Sequence, residues 1–145
     1  MRILILFILS VGLQAVAQVD NQERYSSDSR QYYVWSEESK SYILRETEFE
    51  HSLIDIREIG SRSNGYIAIS LTDNGRTRLF HGSITAYSVN EAGEPTWQMR
   101  SKKMKGKITY NVKENTMTYV YDANETRYQR ILVFTLKIED QAATE

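Results

Sequence analysis

The sequence predicts an all-β domain, an antiparallel up-and-down meander of about eight to nine strands. Three observations predict it. Two alternating runs, residues 66–73 and 76–87, flank Asn74-Gly75, the strongest local signal for a two-residue hairpin turn. Further alternating runs recur at a spacing of roughly 8–12 residues, joined by short polar turns. No stretch carries a long helical period with a usable apolar stripe.

The N-terminus reads as a removable export signal. Met1-Arg2 gives a positive start, Ile3 to Leu13 is almost wholly apolar, and Ala15-Val16-Ala17 has the small-x-small spacing of a cleavage site. The apolar run is shorter than the ~20 residues a helix needs to cross a bilayer. Cleavage is expected after Ala17, with residues 1–17 as signal peptide. The chain contains no cysteine, which excludes disulfides, thiolate metal sites and thiol nucleophiles. Exported eukaryotic domains often use disulfides, so their absence favours a bacterial origin and a periplasmic or secreted location.

Residues 18–30 are polar and without period, and are expected to form a flexible N-terminal arm. A single β domain then spans residues 31–138. Its first strand covers Gln31 to Ser36, and Glu37 to Lys40 is a polar connection. Ser41 to Phe49 forms the second strand and His51 to Ile59 the third, with Ile54, Ile56 and Glu58 on one face. Gly60 to Gly65 reads as a loop.

The central hairpin follows. With Asn74-Gly75 as the loop, Asp73 faces Arg76, Ile69 faces Phe80 and Ile67 faces Gly82. One face then carries Ile67, Ile69, Leu71, Phe80 and Ile84 and belongs to the core. The other carries Ala68, Ser70, Leu79 and His81. A loop from Val89 ends at Pro95, the only proline, and Thr96 to Lys102 is the next strand. Lys103 to Lys107 makes a basic connection. Ile108 to Val112 and Thr116 to Tyr121 form another hairpin. Asp122 to Glu125 is a turn, and the glycosylation-type triplet Asn124-Glu125-Thr126 is read as part of it. Thr126 to Ile138 closes the fold, with Tyr128, Arg130, Leu132, Phe134 and Leu136 on one face. Residues 139–145 are a polar tail.

Successive hairpins favour a closed barrel of lipocalin-like shape, with a two-layer sandwich as the alternative. Closure depends on shear and register, which local patterning does not determine.

The formal net charge is −1, so nothing in the overall balance asks for nucleic acid as a partner. The chain has ten Tyr and two Trp. Such rings offer a flat apolar face with a polar handle, which suits ligand binding. The candidate ligand-binding residues are Tyr119, Tyr121, Trp35 and Trp97. Ordinary cross-strand aromatic packing is the competing explanation for them. The densest charge feature, Arg100, Lys102, Lys103, Lys105 and Lys107, is the candidate anion-binding segment. The two histidines, His51 and His81, lack metal-site spacing, and no nucleophile elbow, phosphate loop or calcium loop is present. No metal or cofactor is expected.

The expected function is therefore that of an exported, non-catalytic binding or interaction protein. Its ligand would be a small apolar molecule, a glycan or a protein. Two alternatives stand beside it: a small hydrolase centred near His51 or His81, and a binder of anionic surfaces through residues 100–107.

Overall fold

In a computed structural model, which describes residues 20–122 and 127–138, nine antiparallel strands form one sheet that closes on itself. They are β1 (Asp20–Ser36), β2 (Ser41–Glu48), β3 (Ser52–Ile59), β4 (Ser61–Asp73), β5 (Arg76–Val89), β6 (Pro95–Arg100), β7 (Lys105–Asn111), β8 (Thr116–Tyr121) and β9 (Arg130–Leu136). β3 to β9 pair in sequence order, and β1 pairs with both β3 and β9. The result is a closed eight-stranded up-and-down barrel of lipocalin-like shape, with β2 as a ninth strand outside the ring. The expected signal peptide and C-terminal tail lie outside the described residues, as does most of the 122–125 turn.

The Asn74-Gly75 hairpin has the register its sequence implies. Asp73 faces Arg76, Ile69 faces Phe80 and Ile67 faces Gly82. Asn74 and Gly75 both have positive φ, at 50° and 77°, as a type I′ turn demands. Ile67, Ile69, Leu71 and Ile84 are buried inside the barrel, with Phe80 packed against them. The same inward face carries Ile54 and Ile56 of β3, Trp97 and Met99 of β6, and Met117 and Tyr119 of β8. Side chains therefore fill the interior, as an eight-stranded barrel permits.

Three expectations need correction. The arm expected over residues 18–30 is strand from Asp20 onward, because residues 20–27 pair with β3 and residues 27–33 with β9. Its polar composition suits a strand whose side chains are mostly exposed. The loop expected at Gly60 to Gly65 is largely strand as well. β4 begins at Ser61 opposite Ile59, then slips register so that Gly65 faces Glu58. Gly65 adopts φ 140° and lies so close to β3 that a Cβ would sit 1.9 Å from the Arg57 carbonyl oxygen. A glycine that reads as a turn signal thus serves a bulge instead. Finally, the basic connection at Lys103 to Lys107 enters β7 at Lys105.

β1 carries the closure. Its long edge pairs first with β3 and then, from Arg30 to Ser36, with β2. An irregularity on the β9 side between Ser27 and Ser29 leaves Asp28 as the extra residue, exposed and close to Lys137 (2.7 Å) and His51 (3.4 Å). Two residues on, Arg30 is buried, at 1% exposure. Its guanidinium donates to the Glu48 carboxylate of β2, to Ser52 Oγ of β3 (2.9 Å) and to the Thr72 carbonyl of β4 (2.6 Å). One side chain thereby ties four strands together where β2 leaves the ring.

Candidate ligand site at the end of the barrel

The barrel end that carries the β4–β5 turn is uneven, because β1 outruns β9. The last β1–β9 pair is Tyr33 with Ile131, after which Val34 and Trp35 pair only with β2. The Trp35 ring occupies this step. It stacks on Tyr128 with ring centres 4.8 Å apart and planes 24° apart, and meets Tyr42 edge-on at 5.3 Å. Such pairs contribute beyond the area they bury. Its indole Nε1–H is buried and finds no acceptor among the described residues. An unmade hydrogen bond at a buried donor costs about 1–3 kcal/mol.

A cavity of about 480 Å³ opens beside this indole, walled by Tyr32 and Val34 of β1, Arg45 of β2, and Tyr128 and Arg130. Arg45 makes no ion pair among the described residues. Arg130 lies near the Tyr121 phenol, where its charge opposes the effect of burial, and has no carboxylate partner among the described residues. Glu37 at the rim is engaged by Lys40 at 3.2 Å. The cavity therefore combines an apolar wall with two guanidinium groups, and Trp35, whose buried Nε1–H lacks an acceptor, is among the residues that line it.

A smaller cavity of about 230 Å³ shares Tyr32 and Arg130 with the first and is lined by Glu46, Glu48, Glu50, Asp73 and Arg78. Its charges are mostly engaged with one another or with the backbone. Glu48 holds Arg30, Asp73 lies 3.6 Å from Arg78, and Glu50 accepts from the Asn74 amide. A wider cleft of about 850 Å³ lies along the free edge of β1 near Tyr25, Tyr110 and Lys137. There Gln22 and Arg24 both donate to Asp55, and Tyr25 donates to Glu23. Burial, with the Glu23 carboxylate next, pushes the Tyr25 phenol well above its ordinary pKa. Neither space presents an unsatisfied buried donor.

Of the four residues singled out as ligand-binding, Trp35 lines the first cavity. Trp97, Tyr119 and Tyr121 point into the barrel and are buried at 2%, 0% and 4% exposure. Tyr119 and Tyr121 stack on each other at 4.9 Å, and the Trp97 indole points to Glu58 at 3.4 Å. Burial raises both phenols. Tyr121 reaches the smaller cavity, whereas Tyr119 and Trp97 serve the core. Cross-strand packing accounts for those two. Sequence reasoning passed over Arg45 and placed Tyr128 on one face of the last strand without singling it out. Arg130 carried a signal: it is a cation in line with Leu132, Phe134 and Leu136 on the inward face of the last strand.

The five cations Arg100, Lys102, Lys103, Lys105 and Lys107 are all exposed. The two histidines are not brought together. His51 pairs with exposed Asp28, and His81 stands on the outer face with its ring 5.9 Å from Tyr66. Among the described residues no group of three or more His, Cys, Asp or Glu side chains is placed to hold a metal ion.

Fold and cavity together define a filled β-barrel that carries a donor-lined pocket at one end. No protein-family model, curated protein or solved structure matches this chain.

Proposed function

We propose that this chain is an exported, non-catalytic binding protein whose ligand is a small carboxylate with an apolar body. The single observation that carries this reading is the buried Trp35 Nε1–H, left without an acceptor beside a cavity that also presents Arg45 and Arg130. A carboxylate accepts from guanidinium and indole donors at once, and charge-assisted bonds of this kind are the stronger ones. Val34, Tyr32 and the Trp35–Tyr128 stack offer the apolar contact. At about 480 Å³ the cavity falls within the range of small-molecule sites. The sequence, in its apolar start and Ala15-Val16-Ala17, supports export.

A hydrolase centred on either histidine would need that ring oriented by a carboxylate inside a cleft. His51 has only exposed Asp28, and His81 hydrogen-bonds no carboxylate among the described residues. The surroundings of these two histidines therefore do not support a hydrolase site at either of them.

Titration with octanoate and cinnamate, followed by the indole N–H signals of the two tryptophans, tests the reading. The Trp35 signal is expected to move downfield and saturate while that of Trp97 stays in place. The methyl esters, which lack the charge, should bind more weakly, as should the Arg45→Ala and Arg130→Ala variants. A Trp35 signal indifferent to both acids would overturn the proposal.

A further inference from the structure

The outer face of the β6–β7 hairpin carries charge that nothing in the fold explains. Arg100 and Lys105 are directly opposite each other in the β6–β7 ladder, and Lys107 follows on the same face opposite Gln98. Lys102 and Lys103 lie in the turn between the two strands. Like charges facing one another across a strand pair are destabilising. None of the five forms an ion pair among the described residues. The neighbouring strands do not compensate. β5 offers Ser83 opposite Arg100, and β8 offers Val120 opposite Lys107. The nearby carboxylate, Asp122, is bonded by Gln129 at 3.0 Å.

The same face also exposes apolar groups. Leu79 of β5 is 58% exposed and borders the hollow that contains Lys103 and Met104. Tyr66 of β4 is 43% exposed and lies against His81. A soluble polyanion would require only the cations. Aliphatic and aromatic groups beside a lysine cluster suit the boundary between lipid headgroups and acyl chains, where lysine stems lie along apolar surface and their ammonium groups reach phosphate.

We propose that this face docks on an anionic lipid bilayer, with Arg100, Lys103, Lys105 and Lys107 on the headgroups and Leu79 at the acyl boundary. The hollow beside Leu79 and Lys103 shares no lining residue with the cavity beside Trp35.

Co-sedimentation of the full chain with vesicles tests this. One set is phosphatidylcholine alone and the other contains about equal parts of phosphatidylglycerol. Binding is expected only to the second set and should fall away in about 0.5 M salt, where the screening length shrinks to a few ångströms. Each cation near such a surface contributes about fivefold to partitioning. Reversing Lys103 and Lys105 to Glu should therefore lower binding by more than about tenfold. Leu79→Ser should weaken it without changing its salt dependence. Lys103→Glu alone, at an exposed turn position, gives the same direction of change should the double variant fold poorly. Binding to phosphatidylcholine that ignores salt and these substitutions would place the affinity in the apolar N-terminal segment and overturn the proposal. Retention on heparin without vesicle binding would also overturn it, in favour of a soluble polyanion.

Discussion

Arg30 and Glu48 form an ion pair at the point where β2 leaves the barrel, and the arginine is the more deeply buried partner. Their side chains are 1% and 20% exposed. Removing one member of a buried pair strands the other, at a typical cost of about 3–5 kcal/mol. Arg30→Met is expected to fall in that range, because Ser52 and the Thr72 carbonyl lose their donor too. Arg30→Met with Glu48→Met should be less costly than the two single changes added. Urea unfolding of the three variants measures this coupling, and simple additivity would show that the pair does not act as a unit.

Gly65 and Gly75 both have positive φ but should respond differently to replacement. At Gly75 a Cβ meets nothing within 4 Å, so Gly75→Val should cost only the backbone preference, about 1–2 kcal/mol. At Gly65 a Cβ would collide with the Arg57 backbone. Gly65→Ala should therefore be the more damaging change despite its smaller side chain. Thermal melts of the two variants rank them directly.

Trp35→Phe should leave the stability of the ligand-free protein within about 1 kcal/mol of the parent, because no indole hydrogen bond is lost. The same variant should bind octanoate more weakly. A larger loss in chemical denaturation would show that the indole contributes, through its packing on Tyr128 and Tyr42 or through its N–H, more than a phenyl ring replaces.

Asp28 should titrate below the ordinary carboxylate range. Its hydrogen bond from Lys137 is the main cause, and contact with His51 adds to it. A carboxyl whose folded pKa is depressed stabilises the fold above its unfolded pKa, and that contribution is lost as pH falls through the folded value. Lys137→Ala should raise the Asp28 pKa towards the ordinary carboxylate range. Carbon-detected NMR of the carboxyl signal follows the shift, and an unmoved titration would remove Lys137 as the cause.

Tyr25, Tyr119 and Tyr121 all have phenols whose pKa is raised chiefly by burial. The unfolded chain loses those protons near pH ~10, while the folded chain keeps them. Stability should therefore decline as pH rises above that point. Absorbance at the phenolate band should show these three of the ten tyrosines ionising only as the barrel unfolds.

Much of the barrel was legible from local pattern. Residues 116–121 and the register across Asn74-Gly75 follow from alternation and turn chemistry, both short-range. The arm at 18–30 misled because a strand with mostly exposed side chains has no apolar alternation to read. The pocket was harder still. Trp35 stood out as an aromatic, but Arg45 comes near it through the β1–β2 ladder and Tyr128 stacks on it where β1 overshoots β9.

The sequence by itself determined an all-β meander, the inward face of its central hairpin, and the absence of thiol chemistry. Tertiary structure decided that the sheet closes, that β2 stays outside the ring, and that Trp35 ends beside Arg45 and Arg130. The reason is that side-chain facing has a period of two residues and is set locally, whereas closure and the overhang of one strand past another depend on the accumulated stagger of every ladder around the barrel.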